Sequence, residues 1–178
     1  MKKRIILYVI GGILLAVGLA YWLILGQYNA TMYSYANDWI KEEFIYNNKV
    51  TGASYKNKDY NPELECDDEN WVDKYYYYDE KPNTRTFIIT DEKMFNEIFT
   101  ENSIDINFEK EMVVLYIESD VCPRDCYLLS ISNNNGKLTF KYMHKFSTGN
   151  DTVQSYPRCI AVKMKKMDIT SVEFIDVY

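Results

Sequence analysis

The longest uniform pattern in the chain is an uncharged run from Ile5 to Leu25. It follows Lys2, Lys3 and Arg4, and no charged residue appears before Asp38. Coiled as a helix, 21 residues reach roughly 30 Å, about the thickness of a bilayer's hydrocarbon core. Tyr21 and Trp22 stand near the far end, where amphipathic rings favour the membrane interface. The pattern therefore predicts a transmembrane signal anchor over residues 1–28, entering the membrane at residues 5–25. Basic residues before the span keep the N-terminus cytoplasmic and place the rest outside, a single-pass cell-membrane topology. A cleaved signal peptide is the alternative, with cleavage after Ala20. It would leave Tyr-Trp-Leu-Ile-Leu as a greasy new terminus. Gly12, Ala16 and Ala20 repeat at four-residue spacing, a face through which two such helices can approach as a homodimer.

Beyond the anchor the periodicity changes. Tyr35, Ala36, Trp39, Ile40 and Phe44 fall on one stripe at helical spacing, with Lys41, Glu42 and Glu43 opposite. This predicts a juxtamembrane helix within residues 29–50. Residues 51–83 form an irregular acidic segment, broken by Gly52, Pro62 and Pro82, although the tyrosine run Tyr75 to Tyr78 reads as a strand. Order returns over residues 84–178. Thr84 to Thr90 reads as a strand, and Met94, Phe95, Ile98 and Phe99 form the buried side of a helix capped by Thr90. The apolar run Met112 to Ile117 suits a central strand covered on both faces. Two alternating strands flank Asn133-Asn134-Asn135-Gly136, a strong hairpin signal. Arg158 to Lys165 and Val172 to Val177 complete the series. The expected fold is α+β: an N-terminal transmembrane helix, then one exported domain with a mostly antiparallel sheet and one or two packed helices.

Charge narrows the function classes. The whole chain carries a net −6. Residues 27–178 hold 17 basic against 26 acidic side chains, a net of −9. Such a surface repels phosphate backbones, so nucleic acid is not an expected partner. A 47% hydrophobic content excludes wholesale disorder. Glu63, Glu65, Asp67, Asp68 and Glu69 raise the question of calcium, but Val72 stands where an EF-hand loop starting at Asp67 needs glycine. No metal ligand set and no cofactor is assigned.

The order of elements in residues 84–178 resembles the C-terminal domain of the accessory subunit of a bacterial surface protease complex. The resemblance rests on Ile104-Asp105-Ile106-Asn107-Phe108 leading into Met112-Val113-Val114, and on the hairpin with Gly136-Lys137-Leu138. It rests also on Thr152-Val153-Gln154-Ser155-Tyr156-Pro157 leading into Cys159-Ile160-Ala161-Val162. Where that family carries Gly-Gly-Tyr, this chain has Asp125-Cys126-Tyr127. The resemblance implies a non-catalytic module and supplies no active-site residues.

Cys66, Cys122, Cys126 and Cys159 all follow the anchor, an even number in an exported domain. They are candidates for two disulfides, with Cys122–Cys126 and Cys66–Cys159 as the leading pairing among three. His144 is the only histidine and falls on the face of Leu138, Phe140 and Tyr142. A Cys–His nucleophile needs it beside a reduced cysteine. No nucleophile elbow, phosphate-binding loop or zinc-protease motif occurs, and no catalytic residue is assigned. The expected function is a membrane-anchored extracytoplasmic binding or accessory module, with an envelope protein as its partner. The alternatives are a structural or protective surface protein and a carboxylate-dependent hydrolase.

Overall fold

The computed structural model describes residues 10–19, 26–101, 103–121, 125–145 and 154–177. Among the described residues after the helical stretches 10–19 and 26–28, nine strands and two short α-helices run in the order β1 (Thr31–Tyr33), α1 (Glu42–Asn47), β2 (Ser54–Lys56), β3 (Tyr75–Tyr77), β4 (Arg85–Ile89), α2 (Glu92–Ile98), β5 (Glu111–Asp120), β6 (Cys126–Asn134), β7 (Lys137–His144), β8 (Tyr156–Lys165) and β9 (Ser171–Asp176). A 3₁₀ turn, Asn37–Trp39, precedes α1.

The central layer is a four-stranded antiparallel sheet in the order β1-β8-β5-β4. Alternation along β5 and β8 sends side chains to two different cores. Val113, Leu115, Ile117, Cys159 and Ala161 pack on one side, with Ile98, Phe99 and Tyr55 from α2, its C-cap and β2. Met112, Val114, Val162 and Met164 pack on the other, against Leu128, Leu138 and Phe140 of the three-stranded sheet β6-β7-β9. Being covered on both faces is what makes β5 read as an unbroken apolar run. Each fully buried aliphatic side chain there contributes roughly 1.5–3 kcal/mol. The β6–β7 pair is antiparallel and β7–β9 parallel. The β6–β7 turn is the Asn135-Gly136 pair, with φ of 53° and 86°, the two positive values a type I′ turn requires. The fold is thus α+β and mostly antiparallel.

Four expectations are corrected. Among the described residues no helix is long and apolar enough to cross a membrane. Residues 10–19 are helical and exposed. The remainder of the expected span, 5–9 and 20–25, lies outside the described residues, as does Ala20 of the small-residue stripe. The transmembrane helix and the single-pass localisation drawn from it are therefore not supported by the described residues. The disulfides do not stand either. No disulfide joins the described cysteines, Cys66, Cys126 and Cys159. Cys66 is exposed on the irregular segment, whereas Cys159 is fully buried in the sheet, so the bridge expected between them has no geometry. Cys122 lies outside the described residues. Finally, the stripe over residues 31–47 does not make one helix. Thr31–Tyr33 adds to the edge of β8, the Ala36 N–H donates to the Cys159 carbonyl, and Ile40 bridges to Phe99. These pairings outweigh a weak local helix preference and leave only the six residues of α1. The α2 cap is also one residue later than expected: Asp91, not Thr90, accepts from the Met94 N–H.

Candidate functional site

The unusual chemistry gathers where β5 ends and β8 begins. There Glu118 and Asp120 continue the face of Met112, Val114 and Tyr116, and Arg158 continues that of Ile160 and Val162. Alternation therefore turns one guanidinium and two carboxylates toward β6-β7-β9. Those strands supply Cys126, Tyr142, His144 and Asp176.

Arg158 is the hub, only 1% exposed. Its Nη1 donates to Asp120 Oδ2 at 2.5 Å and lies 3.1 Å from His144 Nδ1. Its Nη2 donates to Cys126 Sγ at 2.9 Å, and its Nε to the Ser34 carbonyl at 3.0 Å. A guanidinium only donates, so His144 Nδ1 accepts. The ring proton then sits on Nε2, which faces Asp176 Oδ2 at 3.1 Å. Cys126 Sγ lies 3.5 Å from the same Nδ1. Cysteine, histidine and aspartate thus stand in the order of nucleophile, base and orienting group.

The electrostatics oppose that role. Burial pushes the Cys126 thiol up to about 12; Arg158 opposes this, and Glu118, Asp120 and Asp176 reinforce it. At neutral pH the sulfur keeps its proton, and Arg158 occupies the lone pair a base would use. Glu118 accepts from the Tyr142 hydroxyl at 2.8 Å. Burial raises its carboxyl above the usual range, against the pull of Tyr142 and Arg158. Burial likewise raises the Tyr116 and Tyr142 phenols. Among the described residues Glu118 Oε1 and Asp176 Oδ1 are buried with no hydrogen-bond partner. The cluster therefore clamps two sheets together rather than presenting a reactive thiolate. Among the described residues no group of three or more His, Cys, Asp or Glu side chains is arranged to hold a metal ion.

The opposite face of the same sheet end carries the second feature. Ser119 Oγ and Ser155 Oγ both donate to the Gly52 carbonyl, at 2.6 and 2.5 Å, and anchor the β2–β3 hairpin there. Gly52 takes φ of 91°, and a Cβ would sit 3.3 Å from Ser119 Oγ, so only glycine fits without strain. Alternation then sorts the tyrosines. Tyr55, Tyr76 and Tyr78 turn inward, pack on the core and, with Tyr46, surround the Lys49 ammonium, which lies 3.9 Å from the Tyr46 ring centre and 5.2 Å from that of Tyr76. The Lys58 ammonium also lies 3.9 Å from the Tyr46 ring. The hydrogen bond from Tyr76, with Lys49 and Lys58 adding to it, draws the Tyr46 phenol below the usual tyrosine range. Tyr75 and Tyr77 turn outward. Tyr77 is 62% exposed, and Tyr75 meets Tyr156 edge to face at 5.9 Å.

Protein-family models, curated proteins and solved structures give no match to this chain.

Sequence reasoning placed His144 on the face of Leu138, Phe140 and Tyr142, but left the cluster around Arg158 unseen. Its one local signal is that Glu118 and Arg158 stand at positions where the strand pattern calls for an apolar side chain.

Proposed function

We propose that this chain is a non-catalytic binding module, and that its contact face is the outer side of the β2–β3 hairpin with Tyr156. One observation carries the reading. Tyr75 and Tyr77 are large rings left open to solvent on a segment that Gly52, Ser119 and Ser155 fasten to the central sheet, and Tyr156 stands exposed beside them at the start of β8. Rigid aromatic side chains offer contact area at low entropic cost, the property that enriches tyrosine at interfaces. The state of the Arg158 cluster supports the non-catalytic part: each candidate reactive group is engaged by a neighbour, and the thiol is protonated. The resemblance of residues 84–178 to a protease-complex accessory subunit points the same way.

The test is site-specific cross-linking. A photoreactive phenylalanine at position 77 of the full chain, expressed in its host, is expected to give a discrete adduct that excess unlabelled chain competes away. The same group at Tyr127, also exposed but on β6, is expected to give none. An equal adduct from both positions, or none from position 77, would overturn the reading.

A further inference from the structure

We propose that the partner segment seated on this face is a basic peptide stretch rich in lysine; the proposal rests on the binding reading above and specifies its chemistry. Three independent features support it. The first is charge. Residues 57–74 leave β2 and return to β3 as one loop, closed by the Asn57 N–H donating to the Lys74 carbonyl at 2.9 Å. The loop carries seven carboxylates against two lysines, and all seven are exposed. The loop joins the two strands whose outer side is the contact face.

The second feature is the apolar platform. Tyr75 and Tyr77 follow directly on this loop, and Trp71 within it is exposed as well. Aromatic faces beside carboxylates form a surface that ammonium groups and their alkyl stems fit, since the ring quadrupole attracts cations and the stems cover the rings.

The third is what Tyr75 and the neighbouring Tyr46 already do. Lys49 and Lys58 each place an ammonium 3.9 Å from the Tyr46 ring centre, and Lys74 lies 5.6 Å from that of Tyr75. Ammonium-on-tyrosine contact is the recurring local interaction of this region. The outer rings Tyr77 and Tyr156 carry no such cation of the chain's own among the described residues. An acidic or neutral segment would leave the loop's carboxylates without a counter-charge, and nucleic acid would be repelled by them.

The experiment titrates the full chain with three fluorescent peptides of about a dozen residues, the size a groove or platform of this kind engages. One alternates Lys with Gly and Ser, the second has Gln for each Lys, and the third Glu. The Lys peptide is expected to bind about tenfold or more tighter than the Gln peptide, with the difference shrinking at high salt, and the Glu peptide not at all. The double substitution Tyr75→Ala with Tyr77→Ala is expected to weaken the Lys peptide about fivefold or more, and so is Asp67→Asn with Asp68→Asn. Glu173→Gln, a distant surface charge paired with Lys137, is expected to change nothing. Equal binding of the Lys and Gln peptides would overturn the basic-partner proposal, while an adduct from position 77 would leave the contact face standing. Lys-peptide binding indifferent to the tyrosine pair would also overturn it, as attraction to any polyanion. So would the absence of binding by all three peptides.

Discussion

Glu118 shows how a single side chain can be held at a cost to stability. One carboxylate oxygen accepts from Tyr142 and the other is buried with no partner. Its raised pKa means that folding favours the protonated form. The penalty is absent below the ordinary carboxylate range, grows as pH rises through the folded-state value, and is complete above it. Glu118→Gln keeps an acceptor for Tyr142 and removes the charge. The substitution is expected to stabilise the protein at neutral pH on the order of 1 kcal/mol, about 2–4 °C in Tm. The advantage is expected to vanish as pH falls below the usual carboxylate range, which paired thermal melts across pH will show. A melting temperature lowered at neutral pH would mean that the charge, not the orphan oxygen, is what Arg158 requires. The same scale explains why the cluster was hidden in the sequence. Its members, at positions 118, 120, 126, 142, 144, 158 and 176, come from five strands, and no spacing rule links them. Polar residues at the end of an alternating strand look like ordinary strand termini until the facing sheet is known.

At the scale of elements, the second half of the chain was legible because its physics is local. Strands β4 to β9 lie within a few residues of their expected positions, since period-two alternation and apolar runs record which faces are covered. The Asn135-Gly136 turn was legible for the same reason. Gly136 takes φ of 86°, and an added Cβ would stand 3.3 Å from Thr170 Oγ1. Gly136→Ala is therefore expected to cost about 1–2 kcal/mol in a denaturant melt. Lys137→Ala, which removes only an exposed pair with Glu173, should stay within about 0.5 kcal/mol. Equal effects from the two would show that the left-handed turn is not what fixes the register. The first half was less legible because its elements are made by partners distant in sequence. β1 exists only as an edge added to β8, and the helical stripe of residues 31–47 is broken by bonds to Cys159, Ile98 and Phe99. The tyrosine run was readable as a strand, but not which rings face outward.

For the whole molecule, two buried layers meet at β5 and β8, and the loop of residues 57–74 stands outside both. Amide hydrogen exchange should rank the chain accordingly. The slowest amides are expected in β5 and β8, at or near the global unfolding free energy. The loop of residues 57–74 is expected to exchange orders of magnitude faster, with the β6–β7–β9 sheet between them. Exchange from the loop as slow as from β5 would contradict this layering. The sheet order β1-β8-β5-β4 has a further meaning for the newly made protein. Arg158 bonds to a carbonyl 124 positions upstream, at Ser34. At the usual pace of about 5–20 residues per second, a ribosome needs roughly 6–25 seconds to span that interval. During those seconds β1 waits without its partner, and over the last of them so does the edge of β5 that pairs with β8. A message cut short before Tyr156 would release a fragment in which β1 and β5 lack the strand that joins them.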